Sequence, residues 1–315
     1  MIFNYGHRIP ADSVVPEPAH PFQLAKRQVR IHLSMKKLIK IGTVAMLTAT
    51  AGVHARTPVW DTLPPPPALP HLANEGYVAR AGARIWYGTV GEGPAVFLLH
   101  GGMSSSDSWG NQVSALIKSH HRIVLVDTRG HGRSTLGNVP LSYEVFEEDL
   151  ISIMDTLHIK KADIVGWSDG ANTALVMAMK DPARVRKIYA FGANMNADAA
   201  KPGAFNAPIL GKVVVQLQQA YARVSPTPDG FGALHEAVET MQKSEPNYAA
   251  SQLAAIHGPT IAIADGDHEE FIKEEHTRYM AKTIPGAHLV ILPGVSHFAP
   301  WQAPDSFNAS VLQFL

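Results

Sequence analysis

Short, continuous apolar runs recur along this chain and constrain its fold more than any other feature. A strand that is buried on both faces has this pattern, whereas a strand that faces water alternates apolar and polar residues. The segments between the runs have the spacing of amphipathic helices. Alternating buried strands and helices predict an open α/β fold, with a mostly parallel central sheet and helices on both faces. The runs lie at 95–99, 123–126, 164–165, 188–191, 260–264 and 289–292, and the helical segments at 109–119, 143–157, 171–180, 270–283 and 305–314.

The alternation is interrupted between residues 194 and 256, where no segment has a strand pattern. Amphipathic stretches around 213–222 and 234–241 are separated by Pro226-Thr227-Pro228-Asp229-Gly230. We interpret this stretch as a small helical cap inserted between two strands. Ligands bind at the carboxyl edge of open α/β sheets, so a cap at that edge would cover the site.

The N-terminal region has the three parts of a secretory signal peptide. A basic segment begins at Met35, the apolar stretch 41–53 follows, and Val53-His54-Ala55 supplies small residues for cleavage. We therefore predict a signal peptide over 35–55, cleaved near Ala55, and a periplasmic or secreted protein. Residues 1–34 are interpreted as a spurious extension from an upstream start. The apolar stretch is shorter than the roughly 20 residues that span a bilayer, so no stable membrane anchor is expected.

Residues 56–75 form a Pro-rich leader, which is expected to be stiff and extended because proline cannot donate to a sheet. The folded domain is therefore expected over 76–315. It begins with a predicted hairpin in which 77–80 and 84–90 flank Ala81-Gly82-Ala83.

Composition excludes several functional classes. The chain has no cysteine, which rules out disulfides, thiolate metal sites and a cysteine nucleophile. Residues 1–55 hold 7 of the 27 basic residues and 2 of the 27 acidic residues. The other 260 residues therefore contain 20 basic and 25 acidic residues, a net charge of −5. This balance argues against a nucleic acid as partner. A small-molecule substrate is expected instead, from the motifs described next.

A nucleophile elbow is the strongest chemical motif. Gly166-Trp167-Ser168-Asp169-Gly170 follows an apolar strand and precedes a helix, which is the context that G-x-S-x-G requires. Such a sharp turn needs small residues at Gly166 and Gly170, and it would expose the hydroxyl of Ser168 beside a helix N-terminus.

Two further segments complete a catalytic pattern. His100-Gly101-Gly102-Met103 follows a strand, where the N–H of Gly102 could join that of Asp169 in an oxyanion hole. His297 lies in the loop after the last strand, where it could take the proton of Ser168.

Together with Asp127-Thr128-Arg129-Gly130-His131-Gly132-Arg133-Ser134, these motifs resemble the α/β-hydrolase superfamily over about residues 76–315. The resemblance implies the α/β-hydrolase fold with a cap over about 194–256. The elbow and Gly192-Ala193-Asn194 are most similar to the biphenyl-hydrolase-like, valacyclovir-hydrolase branch, in which the Asp after the nucleophile binds a substrate ammonium. This implies that Asp169 selects cationic amino esters; the alternative is a charge neutralised by arginine or water.

The resemblance also addresses the triad acid, which should follow the strand 260–264. The family commonly has Gly-x-x-Asp there, and this pattern, placed on Gly266, assigns the acid to Glu269. The chain departs from the usual Asp, so Asp267 remains the second candidate and Asp265 the third.

The expected function is that of a serine hydrolase which cleaves a small carboxylic ester, thioester or lactone through an acyl-enzyme. Ser168 would be the nucleophile, His297 the base and Glu269 the acid, with no cofactor and no metal. The same triad supports carbon–carbon bond hydrolysis, aminopeptidase action or perhydrolysis. A binding protein without catalytic activity is the alternative of a different class.

Overall fold

The computed structural model describes residues 57–315, so the predicted signal peptide and N-terminal extension lie outside the described residues. A single eight-stranded sheet forms the centre, in the order β1-β2-β4-β3-β5-β6-β7-β8. β1 pairs with β2 and β2 with β4 in antiparallel fashion, and every later pair is parallel. The strands are β1 (Asn74–Arg80), β2 (Ala83–Val90), β3 (Ala95–Leu99), β4 (Arg122–Val126), β5 (Ala162–Trp167), β6 (Val185–Phe191), β7 (Thr260–Gly266) and β8 (His288–Leu292).

Helices cover both faces of this sheet and bury its apolar runs in two clusters of core side chains. The predicted α/β fold with a mostly parallel sheet is therefore confirmed. No helix within residues 57–315 has the length and apolar character needed to cross a membrane. The helices are α1 (Gly110–Lys118), α2 (Tyr143–Thr156), α3 (Asp169–Lys180), α4 (Pro208–Val224), α5 (Phe231–Gln242), α6 (Ala250–Ala254), α7 (Glu274–Thr283), α8 (Ala299–Gln302) and α9 (Pro304–Phe314).

The central strands are fully buried, as their continuous apolar sequence requires. All residues of β3 and β5 are buried, and the two strands pair in parallel from Val96↔Asp163 to Leu99↔Gly166. Both strands end at the same edge of the sheet, so the segments that follow them, from His100 and from Ser168, start side by side.

The insertion between β6 and β7 is helical and contains α4, α5 and α6. Val213, Leu217 and Tyr221 of α4 are buried in the core cluster that also contains Leu234 and Val238 of α5. The insertion is therefore stabilised by the buried apolar faces of α4 and α5, its two longer helices.

The Pro-rich leader lies against the domain. β1 begins at Asn74, two residues before the expected start of the fold. A Cβ on Gly110 would lie 1.8 Å from the carbonyl oxygen of Pro67, so the two backbones are in close contact. The side-chain amide of Gln302 donates to the carbonyls of Trp60 and Thr62, at 3.0 Å each. These contacts fix the leader onto the start of α1 and the end of α8.

Candidate active site

Ser168 lies on a sharp turn between β5 and α3. Its φ is +56°, which is uncommon for a residue with a side chain and indicates a strained backbone. A Cβ on Gly166 would lie 2.5 Å from the carbonyl oxygen of Gly170, and one on Gly170 would lie 2.1 Å from that of Leu99. The two glycines are therefore required by the close approach of backbone atoms.

His297 follows β8 and lies in the same cavity as Ser168. Its Nδ1 is 2.7 Å from Oε2 of Glu269, and both side chains are buried. An ionised carboxylate only accepts hydrogen bonds, so this contact assigns the ring proton to Nδ1. Nε2 is then the nitrogen left to accept a proton in the cavity.

The three candidate acids lie in different environments. Glu269 contacts His297, and its other oxygen accepts the N–H groups of Phe271 and Ile272 at 2.7 and 3.2 Å. Asp267 is exposed and accepts the N–H of Gly294. Asp265 is buried at the end of β7, where Thr277 donates to it.

The backbone of His297 is fixed by two side chains whose role the sequence did not reveal. Its N–H donates to Oε2 of Glu270 at 3.0 Å, and its carbonyl accepts the indole N–H of Trp167 at 2.8 Å. Gly192 has φ +66°, and a Cβ there would lie 2.6 Å from Cε1 of the His297 ring. The position of the imidazole thus depends on three residues beyond Glu269.

Gly102 and Asp169 lie next to each other beside Ser168. A Cβ on Gly102 would lie 2.5 Å from Oδ2 of Asp169, and one on Gly101 would lie 3.2 Å from Cβ of Ser168. Asp169 opens α3, so its N–H is among the first four that a helix leaves without an internal acceptor. Both residues line the cavity that contains Ser168, so their backbone N–H groups are the candidates for an oxyanion hole.

The carboxylate of Asp169 is buried and is held by neutral donors. Tyr143 donates its hydroxyl at 2.8 Å, and the amide of Gln242 lies 3.0 Å from both carboxylate oxygens. No arginine or lysine within residues 57–315 pairs with this carboxylate. The side chains that hold this carboxylate within the described residues are therefore neutral, and no arginine is among them. Tyr143 lies on α2 and Gln242 in the cap, too far along the chain for a sequence motif to connect them.

A cavity of about 240 Å³ lies over Ser168. The cap contributes apolar side chains from α4 and polar groups from the end of α5, and Asp169 and Glu245 are the two carboxylates of the lining. None of the described residues that line the cavity is a lysine or an arginine. The cap residues of the lining are Asn194, Ala200, Leu210, Val213, Leu217, Gln242, Glu245 and Pro246.

Burial shifts the titration of the charged groups in the site. It raises the pKa of Glu269 to about 7 and lowers the pKa of His297. It also raises the pKa of Asp169, although the hydrogen bonds from Tyr143 and Gln242 favour the ionised form. Perturbed groups of this kind that converge on one cavity are typical of a catalytic site. Residues 57–315 hold no group of His, Asp and Glu side chains arranged to bind a metal ion.

Comparisons with known proteins identify the family of this chain. Residues 94–250 match the family model described as alpha/beta hydrolase fold. The mouse serine hydrolase BPHL is 27% identical over 251 residues, which cover 76% of this chain and 85% of that protein. The pimeloyl-[acyl-carrier protein] methyl ester esterase of Nitrosospira multiformis is 27% identical over 268 residues, 73% of this chain and 97% of that protein.

Solved structures show the same fold. The meta-cleavage product hydrolase of Pseudomonas fluorescens IP01 superposes with a TM-score of 0.65 at 22% identity, over 77% of this chain and 97% of that one. The relatives in sequence include the biphenyl-hydrolase-like branch that the elbow motif resembles. The chain is therefore a hydrolase of the α/β-hydrolase superfamily.

Proposed function

We propose that this protein hydrolyses a small carboxylic ester, or a thioester or lactone, through an acyl-enzyme formed on Ser168. The observation that supports this most directly is the shared cavity of Ser168 and His297, with Nδ1 of the histidine held 2.7 Å from the carboxylate of Glu269. A nucleophile, a base and a group that orients the base are the parts that acyl transfer requires.

In the proposed acylation, the Ser168 oxygen bonds to the substrate carbonyl carbon while its proton moves to Nε2 of His297. The N–H groups of Gly102 and Asp169 stabilise the oxyanion that forms. His297 then returns the proton to the leaving oxygen as the carbon–oxygen bond breaks. A water molecule repeats the sequence on the acyl-enzyme and releases the carboxylic acid. Glu269 keeps the imidazole oriented and stabilises the imidazolium in both halves.

The charge of the cavity favours a neutral or cationic substrate. Asp169 and Glu245 line the cavity, and no lysine or arginine is among the described residues of its lining. A substrate that carries a carboxylate would therefore be repelled. The apolar side chains of α4 and the volume of about 240 Å³ favour a compact, partly apolar ester.

We infer that Asp169 accepts a substrate ammonium group, since its carboxylate is held in place by Tyr143 and Gln242 but not by a cation. Asp169→Asn keeps the backbone N–H that the oxyanion requires, removes the negative charge and replaces one of the two acceptor oxygens by an NH2 donor. We expect kcat/KM for an amino-acid ester to fall roughly 10- to 100-fold, the range of a charge-assisted hydrogen bond. The ester without the amino group should be hydrolysed as by wild type. Equal loss on both substrates would refute the ammonium role.

The function is tested with p-nitrophenyl esters of increasing acyl length, together with lactones and amino-acid esters. We expect wild-type protein to hydrolyse short esters and Ser168→Ala to lose activity on the order of 10⁵- to 10⁶-fold. Folded wild-type protein that hydrolyses none of them would favour a binding protein on the same fold.

We also propose that the protein is exported, on the basis of the basic, apolar and small-residue segments over 35–55. Mass spectrometry of the exported protein should find a mature N-terminus near Arg56. A retained Met1 would contradict the proposal.

A further inference from the structure

The leader contacts the loop that carries the candidate acid. We call residues 267–270, which include Glu269, the acid turn, and residues 293–298, which include His297, the histidine loop. The indole of Trp60 in the leader stacks on the imidazole of His268 in the acid turn, with ring centroids 3.7 Å apart and 34° between the ring planes. His268 directly precedes Glu269, so the leader packs on the residue next to the triad acid.

The backbone of Trp60 is connected to the histidine loop through Gln302. The carbonyl of Trp60 accepts a hydrogen bond from the side-chain amide of Gln302 at 3.0 Å. The same amide donates to the hydroxyl of Ser296 at 2.9 Å, and the amide oxygen accepts the N–H of Ser296 at 2.9 Å. Ser296 directly precedes His297. Trp60 therefore contacts the neighbour of the acid directly and the neighbour of the base through one side chain.

The acid turn and the histidine loop are irregular segments, and neither belongs to a helix or a strand. Individual hydrogen bonds join them. The N–H of His268 donates to the carbonyl of Val295 at 3.0 Å, and the N–H of His297 donates to Glu270 at 3.0 Å. A segment without a regular ladder of hydrogen bonds opens more easily than a helix or a strand, so each further contact restricts its motion.

The leader is itself anchored after Trp60. The side chains of Leu63, Leu69 and Leu72 pack against the core of the domain. The N–H of Ala73 donates to the carbonyl of Thr89 in β2 at 2.8 Å. Because these contacts do not involve the indole, we expect the leader to stay in place when the indole is removed. A substitution of Trp60 then tests the ring contact alone.

We propose that Trp60 is a positioning residue of the active site, which holds the acid turn and the histidine loop through His268 and Gln302. This inference rests on the proposed function, in which Glu269 must be aimed at Nδ1 of His297. The indole packs on the imidazole of His268 and restricts the motion of the turn that presents Glu269. Trp60 is not among the described residues that line the cavity, so it acts on the rate of the reaction and not on the binding of substrate.

The test compares Trp60→Ala and Trp60→Phe with Val59→Ala, a matched control at an exposed position of the same short helical turn. All three variants keep the backbone carbonyl that binds Gln302. We expect Trp60→Ala to lose roughly tenfold in kcat on a p-nitrophenyl ester, with an unchanged KM, because the imidazole of His297 is less well oriented. Trp60→Phe keeps an aromatic ring and should recover most of the loss, and Val59→Ala should match wild type. Wild-type kcat in Trp60→Ala, or a loss through KM alone, would overturn the proposal.

A double-mutant cycle shows whether the indole acts through His268. His268→Ala removes the same ring contact from the other side, so the test does not depend on whether Trp60→Ala folds. If the two rings act as a pair, the double variant should have about the kcat of the more impaired single variant. Independent contributions would instead multiply in the double variant, and this result would overturn the proposal.

Hydrogen–deuterium exchange followed by mass spectrometry provides a readout that does not depend on turnover. Peptides that contain the acid turn and the histidine loop should exchange roughly tenfold faster in Trp60→Ala than in wild type, while peptides of α5 should not change. Unchanged exchange in both loops, or faster exchange throughout the domain, would overturn the proposal. If wild type hydrolyses no ester, but faster exchange in Trp60→Ala is confined to the two loops, the result would count against the proposed function alone.

Discussion

The backbone N–H of His297 donates a hydrogen bond to the carboxylate of Glu270 at 3.0 Å, while the neighbouring Glu269 holds the imidazole of the same histidine. Two consecutive acidic residues thus fix the backbone and the ring of one catalytic candidate. The loop after β8 is in this way tied to the turn after β7. We expect activity to depend on the hydrogen bond between the N–H of His297 and Glu270. The charge of the acceptor at position 270 should have little influence.

Glu270→Ala removes the acceptor, whereas Glu270→Gln keeps an oxygen that can accept the same N–H. We therefore expect kcat to fall roughly 10- to 100-fold for the alanine variant, because the imidazole is displaced, and much less for the glutamine variant. Steady-state kinetics on a p-nitrophenyl ester distinguishes the two. Equal activity of both variants would show that the contact does not position His297.

The pH dependence of the reaction follows from the buried pair of His297 and Glu269. The active form needs a neutral imidazole and an ionised carboxylate, and burial raises the pKa of Glu269 to about 7. kcat/KM should therefore fall about tenfold per pH unit below roughly pH 7, with an apparent pKa that belongs to the pair. The charge of Glu270 raises the pKa of both groups, so Glu270→Gln should move this limb to lower pH. A limb that moves to higher pH would contradict the assignment.

The identity of the triad acid is tested by a pair of matched amide substitutions. Glu269→Gln keeps the shape of the side chain but destabilises the imidazolium and the required tautomer, so kcat should fall on the order of 10³- to 10⁴-fold. Asp267→Asn changes an exposed carboxylate that contacts the N–H of Gly294, and activity should be unaffected. The reverse result would transfer the role to Asp267.

Gln302 connects the leader to the loop that carries His297. Its amide donates to the carbonyls of Trp60 and Thr62 and to the hydroxyl of Ser296, and its oxygen accepts the N–H of Ser296. Gln302→Ala leaves these groups without their partner, which should cost about 1–3 kcal/mol of the free energy of unfolding. Each kcal/mol should lower Tm by about 2–4 °C.

The matched control for this prediction is Gln219→Ala on an exposed position of α4, which should leave Tm unchanged. Thermal unfolding followed by circular dichroism compares the two variants. An unchanged Tm for Gln302→Ala would show that the hydrogen bonds of Gln302 to the leader contribute nothing to the stability of the domain.

Much of the fold could be predicted from the sequence because its strands are buried on both faces. The run 95–99 coincides with β3, and the hairpin turns at Ala81-Gly82 as expected. The helix expected from Glu270 instead begins at Glu274. The side chain of Glu269 accepts the N–H groups of Phe271 and Ile272, so this segment forms a turn before the helix starts.

Contacts between distant segments account for what the sequence could not predict. The positions of the elbow and of His297 follow from the order of the strands along the sequence. The contact of Tyr143 with Asp169 depends instead on how α2 packs beside α3. Likewise, the indole of Trp167 donates to a carbonyl 130 residues away. The leader has no periodic pattern, and its prolines predict only an extended chain. Its contacts with the domain could therefore not be predicted.

The central claim is that Ser168 is an activated nucleophile, and reaction with a fluorophosphonate followed by intact-mass and peptide analysis tests it most directly. We predict one adduct per chain, located on Ser168, in wild-type protein and none in Ser168→Ala. Labelling of Glu269→Gln should be much slower, since the base is no longer supported by a carboxylate. Folded wild-type protein that remains unlabelled, or an adduct on another residue, would contradict the account.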